Sequence, residues 1–325
     1  MCVRMMARAT TPRKATATIR TKAGSGGIRR KKSNFGAHSP AMTKFSDTDL
    51  IINPDGSIYH LNLKPEHIAD KIITVGDPSR VHRVSKYFDD VEFEMNKREF
   101  ITHTGTYKGK RITVISTGMG TDNVEILMTE LDAIINIDLK TREPKANPKK
   151  LKLVRVGTSG TIQEDVQVDS LILSEYGLGL DSLMHFYDFK QEGFELEIAQ
   201  KFQTLLQLPY LPYCVRGSDE LMKQFDNIPK GNTLTCHGFY APQGRQIRTG
   251  IRYPDLTNKL MYFHVGDFWL TNIEMETAGY YAMARLLGHE MISTNAILAN
   301  RMTGQFSKDP NKTIDRLIET VLERI

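Results

Sequence analysis

Three arginines in this sequence stand where an anion could be held. Arg80 closes the segment Val75-Gly76-Asp77-Pro78-Ser79-Arg80, directly after an apolar run and before a helical stretch. A glycine at such a junction lets backbone amides approach an anion, and a guanidinium adds charge-assisted donors suited to phosphate oxygens. Gly-Asp-Pro is equally an ordinary turn, after which Arg80 would be a solvated helix residue. Arg155 opens Arg155-Val156-Gly157-Thr158-Ser159-Gly160 on an apolar strand pattern. An unpaired charge there would be costly, so it must have a partner. That partner is either a buried Asp or Glu, or an anionic ligand flanked by the Thr158 and Ser159 hydroxyls. Arg98, in Arg98-Glu99-Phe100, is the third, and the three make a phosphate cradle if the fold gathers them.

Other segments carry different chemistry. In Phe239-Tyr240-Ala241-Pro242-Gln243-Gly244-Arg245, Gln243 offers donor and acceptor and Arg245 planar donors, as the polar edge of a nucleobase demands. Phe239 could lie against the face of such a base. In Glu274-Met275-Glu276, extended backbone would put both carboxylates on one side, where they accept from vicinal hydroxyls of a sugar. A helix start with an acidic pair explains the triplet as well. Thr117-Gly118-Met119-Gly120-Thr121-Asp122-Asn123 invites a dinucleotide-binding reading, with Asp138 further on, but Asn123 replaces the third glycine.

These segments need a scaffold that places strand ends together. Strands are predicted at Lys71–Val75, Arg111–Thr117, Leu153–Val156, Ser170–Ser174, Thr233–Gly238 and Met291–Leu298. Between them Val124, Leu127, Met128, Leu131 and Ile134 recur at helical spacing. Ile314, Leu317, Ile318, Val321, Leu322 and Ile325 repeat the pattern behind Asp309 as N-cap and Pro310 at the first helical position. Tyr107-Lys108-Gly109-Lys110 reads as a turn between antiparallel strands, and Thr141–Lys150 as a solvated loop. The expectation is an α/β fold: one domain over residues 45–325, with a central mixed sheet flanked by helices. Ligands of such sheets sit at strand ends.

Residues 1–44 hold eleven Lys/Arg and no acid, so the net charge of +5 becomes −6 for the remainder. That segment is too poor in large apolar side chains to offset its ordering entropy and is expected to be a disordered basic extension. Arg29-Arg30-Lys31-Lys32 could touch nucleic acid or an anionic surface; alternatively the extension is dispensable, with Met42 as the natural start. No run reaches the roughly 18 apolar residues of a membrane span. Three cysteines without metal-ligand spacing suggest a reducing, cytoplasmic setting.

Taken together, Gly-Asp-Pro-Ser-Arg (76–80), Arg98-Glu99-Phe100, Ser-Thr-Gly-Met-Gly (116–120), Arg-Val-Gly-Thr-Ser-Gly (155–160), Gln-Gly-Arg (243–245), Glu-Met-Glu (274–276) and Asn300-Arg301 resemble the nucleoside phosphorylase family, its uridine phosphorylase branch most closely. The resemblance spans roughly residues 57–325. It implies that Gly76, Arg80, Arg155 and Thr158 hold inorganic phosphate as co-substrate. It also implies that Arg98 reaches a neighbouring subunit's phosphate and His60 its 5′-hydroxyl. Met275 and Glu276 would line the ribose. Phe239, Gln243 and Arg245 would hold the base, with Arg301 supporting its far carbonyl. Arg155, Arg245 and Glu276 are then the catalytic set, no metal is needed, and the active unit is a homo-oligomer, a dimer or trimer of dimers. Purine-specific relatives carry an acid near the position of Leu298; its absence favours a pyrimidine. Relatives that cleave purines or use water, and a nucleic-acid binder acting through its basic arm, are the rival expectations.

Overall fold

The structure, a computed structural model, describes residues 44–325, so the expected basic extension lies, but for Lys44, outside the described residues. All six predicted strands pair into one sheet. In chain order the strands are β1 (Lys71–Val75), β2 (Asp90–Lys97), β3 (Phe100–Tyr107), β4 (Lys110–Ser116), β5 (Ile137–Asp138), β6 (Glu143–Pro144) and β7 (Lys152–Thr161). There follow β8 (Leu171–Gly179), β9 (Tyr213–Arg216), β10 (Lys230–Thr235), β11 (His264–Val265), β12 (Phe268–Glu274), β13 (Glu290–Asn300) and β14 (Gln305–Phe306). The helices are α1 (Ser79–Ser85), α2 (Thr121–Asn136), α3 (Gly193–Leu206), α4 (Asp219–Met222), α5 (Leu256–Met261), α6 (Thr277–Leu287) and α7 (Pro310–Arg324).

Alternation sorts the strand side chains between two layers. Ile72, Leu153 and Ile115 join α2 and α6 in one apolar cluster. Ile73, Val75, Val154, Val156 and Val114 face the opposite layer with α7. The predicted helical faces match these layers: Val124 through Ile134 lie on α2 and Ile314 through Leu322 on α7. The turn at 107–110 joins β3 to β4 antiparallel, with Tyr107 opposite Lys110. Thr141–Lys150 is mostly exposed, as expected of a loop, but it carries β6, which pairs with β5.

The sheet closes on itself at one side. Strands β12, β10, β8, β13 and β7 follow one another as neighbours, and β12 pairs back onto β7 through Asn272–Thr161 and Ile273–Gly160. The other edge of the circuit opens into β1, β4, β3 and β2. Strand β7 is longer than its predicted core because it serves both halves. Its first half pairs with β1 as far as Val75–Val156, and β12 takes over only at Gly160. Over Gly157–Ser159 that edge of β7 has neither neighbour, so the sheet parts there.

The C-terminal helix locks the layer beneath this parting. Asp309 accepts from the Lys312 amide at 3.1 Å, satisfying one of the donors that a helix start leaves free. Asp309→Ala is expected to lower stability by about 1 kcal/mol, read as a lower urea midpoint at unchanged slope. An unchanged midpoint would show that the cap contributes nothing.

Candidate active site

The gap in the sheet opens into a cavity of about 510 Å³. It is lined by the glycine-bearing turn after β1, the turn after β4, the parted stretch of β7, the end of β12, and the 239–245 segment. Of the residues expected to bind ligand, Gly76, Arg80, Arg155, Thr158, Phe239, Gln243, Arg245, Met275 and Glu276 all line it.

Arg155 is buried, and its partners are internal. Its guanidinium lies 3.2 Å from Glu274 and 2.5 Å from Glu276, and Nη1 donates to Asn295 Oδ1 at 3.2 Å. Of the two partners the sequence allowed, the buried acid is therefore present, in duplicate. Burial alone would lower the Arg155 guanidinium, but Glu274 and Glu276 together hold it above its usual value, so it is charged. For Glu276 burial is the largest influence and raises its carboxyl against the pull of Arg155, with the neighbouring Glu274 adding to the rise. Gly157 makes this packing possible: a Cβ there would lie 1.7 Å from Arg155 Nη1.

The Glu-Met-Glu triplet ends a strand and begins a helix. Glu274 ends β12, while Glu276 precedes α6. Glu274 accepts from the Glu276 and Thr277 amides and from Thr235 Oγ1, and so caps α6. Glu276 accepts from the Gly120 amide at 2.8 Å, which fixes the turn after β4. Glu274, Gly118, Met119 and Gly157 were not singled out as site residues, although each lay inside a segment that was; their roles depend on contacts between distant segments.

Arg80 is a buried cation of the cavity without a carboxylate. It is 8% exposed and donates to the Val156 carbonyl at 3.1 Å, and no acid lies within ion-pair distance among the described residues. Burial, then the nearby Arg155, pushes its guanidinium down to about 10, still charged near neutrality. Gly76 and Gly118 bring their turns together: a Cβ on Gly76 would lie 3.3 Å from the Gly118 carbonyl oxygen. A buried cation beside two glycine turns, at the mouth of a cavity, is a seat for an anion.

At the far end the 239–245 segment is wound into a short 3₁₀ turn, Ala241–Gln243. Arg245 donates to the Phe239 carbonyl at 2.7 Å and to Gln243 Oε1 at 2.5 Å, and its guanidinium stands 3.8 Å over the Phe239 ring. Burial and the neighbouring Arg301 push it down to about 10. Arg301 does not line the cavity. It donates to the Gln243 carbonyl at 3.0 Å and so braces the segment expected to hold the base. Leu298 lines the cavity from a register slip in β13, skipped between the Ile297–Ser159 and Ala299–Gly160 pairs.

Two expected residues lie away from this cavity. Arg98 is exposed in the β2–β3 turn with a φ of +53°. His60 is half-buried and joined through Nδ1 to Glu130 at 2.6 Å; Glu130 also accepts from the His60 and Leu61 amides. Asp138, weighed for a dinucleotide, instead accepts from the Lys140 and Thr141 amides in a surface turn.

With this geometry in place, residues 70–323 match the model of the Phosphorylase superfamily. This chain belongs to that superfamily. The sequence is 28% identical over 271 residues to the uridine phosphorylase of Thermococcus kodakarensis, covering 83% of this chain and 87% of that protein. It is 31% identical over 267 residues to a DeoD-type purine nucleoside phosphorylase of Bacillus thuringiensis, covering 81% and 97%. Among solved structures it resembles a Trypanosoma brucei nucleoside phosphorylase described as showing uridine phosphorylase activity. The TM-score is 0.77, at 27% identity, over 85% of this chain and 99% of that one. A phosphorylase-superfamily α/β fold and a nucleoside-directed enzyme are thereby shown, and the cavity described above is its candidate active site.

The two arginines should respond oppositely to removal. Arg155→Met strands two buried carboxylates and is expected to cost about 3–5 kcal/mol of stability. Arg80→Met removes an unpaired buried charge, so stability stays level or rises. Inorganic phosphate binding should nonetheless fall roughly 10- to 100-fold. Calorimetric titration with phosphate and urea melts of both variants check this; unweakened phosphate binding in Arg80→Met would remove that residue from the site.

Proposed function

We propose that this enzyme carries out reversible phosphorolysis of uridine, giving uracil and ribose 1-phosphate. The observation that carries the reading is the charge layout of one cavity. A cation without a carboxylate stands between glycine turns at one end, and a Gln–Arg pair over an aromatic ring stands at the other.

The chemistry needs that layout. As the C1′–N1 bond breaks, positive charge grows on the sugar and negative charge on the departing base. Phosphate seated by Arg80, Gly76 and Thr158 would face the sugar cation and form the new C1′–O bond, while the base leaves with the electron pair and takes up, by way of solvent, the proton that the phosphate gives up. Gln243 and Arg245 are placed to donate to uracil carbonyls, stabilising the anion as it forms. Glu276, fixed by Gly120 and Arg155, would orient the ribose hydroxyls, and Met275 would lie along the sugar, contributing proximity.

The choice of a pyrimidine rests on the base end. The acids that line the cavity are Asp77, Glu274 and Glu276, the last two engaged with Arg155. Leu298 supplies no proton for a purine ring nitrogen. The two named relatives, one for each base class, are similarly distant and do not decide the matter.

Charge also favours an assembly of more than one chain. Of the charges lining the cavity, Arg80, Arg155 and Arg245 stand against Asp77, Glu274 and Glu276, three against three, so a single chain offers a phosphate dianion no net positive charge. Arg98, exposed and turned out on its loop, would supply the missing cation to a neighbouring copy, and His60, oriented by Glu130, its ring nitrogen.

Uridine and inosine assayed with and without phosphate test the reading. Uridine loss is expected only with phosphate, with inosine turnover at least about 100-fold slower, the scale of a lost pair of fitted polar contacts. Equal uridine rates with and without phosphate would replace phosphorolysis by hydrolysis. Arg245→Ala should raise the uridine KM far more than the phosphate KM; equal rises in both would take Arg245 out of the base site.

A further inference from the structure

Inside the closed circuit of β7, β13, β8, β10 and β12, side chains from all five strands form one unbroken run of hydrogen bonds. Arg155 of β7 donates through Nη1 to Asn295 Oδ1 of β13 at 3.2 Å. Asn295 Nδ2 donates to Ser174 Oγ of β8 at 3.1 Å, and Ser174 Oγ lies 2.6 Å from Thr233 Oγ1 of β10. Thr233 Oγ1 donates to Asn272 Oδ1 of β12 at 2.9 Å, and Asn272 Nδ2 donates at 2.8 Å to Ser159 Oγ, back on β7. Asn295, Ser174, Thr233 and Asn272 are wholly buried, whereas Ser159 is 9% exposed and lines the cavity. The run thus begins at the shared guanidinium and ends at the cavity wall.

The direction of every proton in this run follows from its first member. A guanidinium can only donate, so Asn295 must turn its oxygen to Arg155 and its amide nitrogen to Ser174. The Ser174 hydroxyl, accepting there, gives its own proton to Thr233 Oγ1. Thr233 then donates onward, which turns the Asn272 oxygen to it and the Asn272 amide nitrogen to Ser159. Reversing Asn272 would leave one proton of the Ser174–Thr233 pair buried without an acceptor, the costly case for a group taken out of water. Ser159 Oγ is therefore an acceptor towards the protein and keeps its proton, for which no acceptor is bonded among the described residues. Buried hydrogen bonds in series polarise one another, so this orientation is held before any ligand arrives.

We propose that Ser159 donates to a ring carbonyl of the bound base and that Asn272 is the residue that positions it. Ser159 stands at the base end of the cavity. It pairs with Ile297, immediately before the slip at Leu298. Beside it, the Cβ position of Gly160 lies 3.7 Å from Cγ of Arg301, which braces Gln243. Gln243 and Arg245 reach the base from the 239–245 segment, and Ser159 adds a neutral donor from the sheet. A fixed donor of this kind suits a carbonyl oxygen that gains negative charge as the base departs. Asn272, sealed inside the circuit, touches no substrate and acts only through Ser159. The inference rests on the phosphorolysis reading in placing a base at this end of the cavity.

Ser159→Ala removes the donor from the cavity wall. Asn272→Asp keeps the size of the side chain but, as a carboxylate, accepts from Thr233 and Ser159 alike and so turns the Ser159 proton inward. In calorimetric titration of the whole enzyme with uracil in the presence of inorganic phosphate, each variant is expected to bind uracil about fivefold more weakly, the scale of one neutral hydrogen bond. Phosphate affinity should hold, and in turnover assays the uridine KM should rise with the phosphate KM unchanged. The double variant should bind uracil no more weakly than Ser159→Ala, since Asn272 acts only through that hydroxyl. Uracil affinity unchanged in Ser159→Ala would overturn the contact. Unchanged affinity in Asn272→Asp, or losses that add in the double variant, would overturn the positioning role. Equal losses for uracil and phosphate would mark a general disturbance of the sheet and overturn both. A wild-type enzyme that binds hypoxanthine but not uracil would end the pyrimidine reading alone. The same comparison with hypoxanthine, which also carries a ring carbonyl, would then decide the Ser159 contact.

Discussion

The site depends on one guanidinium shared by two carboxylates. Arg155 lies in the interior of the fold with Glu274 and Glu276 closed around it, and each carboxylate also accepts from backbone amides. Glu274 holds the first turn of α6, and Glu276 holds the turn after β4. An ion cluster of this kind is a poor source of net stability, since desolvation takes back most of what attraction gives. Its value is geometric. Four separate segments meet at Arg155, and none of them can move alone without exposing a buried charge.

The sheet provides the space in which that cluster acts. A strand flanked continuously on both edges presents no opening, whereas β7 changes partners on one edge, from β1 to β12, and is left without either over three residues. Thr158 and Ser159 lie in that interval, with glycines on either side of them. The closed circuit of five strands on one side and the open extension on the other make this the point where the order of neighbours is interrupted. Catalytic groups can gather there without a gap in the apolar layers.

Much of this was legible in the chain. Apolar runs ending in glycine located β1, β4 and β7, and helical spacing with a capping aspartate located α2 and α7, because those signals are local. The register between segments was not. Nothing near Arg155 in sequence names Glu274, more than a hundred residues away, as its partner. Strand β12 escaped prediction because Phe268-Trp-Leu-Thr-Asn-Ile-Glu interrupts its apolar pattern with polar residues that bond across the closed part of the sheet. The bond from Arg301 to the Gln243 carbonyl was equally out of reach, since a sequence cannot tell a side chain that meets a ligand from one that braces the backbone beside it. Conversely, the lack of a carboxylate beside Arg80, which says most about the ligand, became visible only when every acid in the described fold was located.

The register slip at Leu298 bears on how such a cavity changes hands during evolution. Leu298 is skipped in the pairing with β7 but its carbonyl still accepts from the Ser307 amide at 2.8 Å, so its side chain can be exchanged while the strand's hydrogen bonds persist. The base end of the pocket therefore has one wall position that is adjustable at small structural cost, in a fold whose other walls are tied into shared networks. New preferences among nucleobases would be expected to arise there first, by single replacements, long before the anion end could drift.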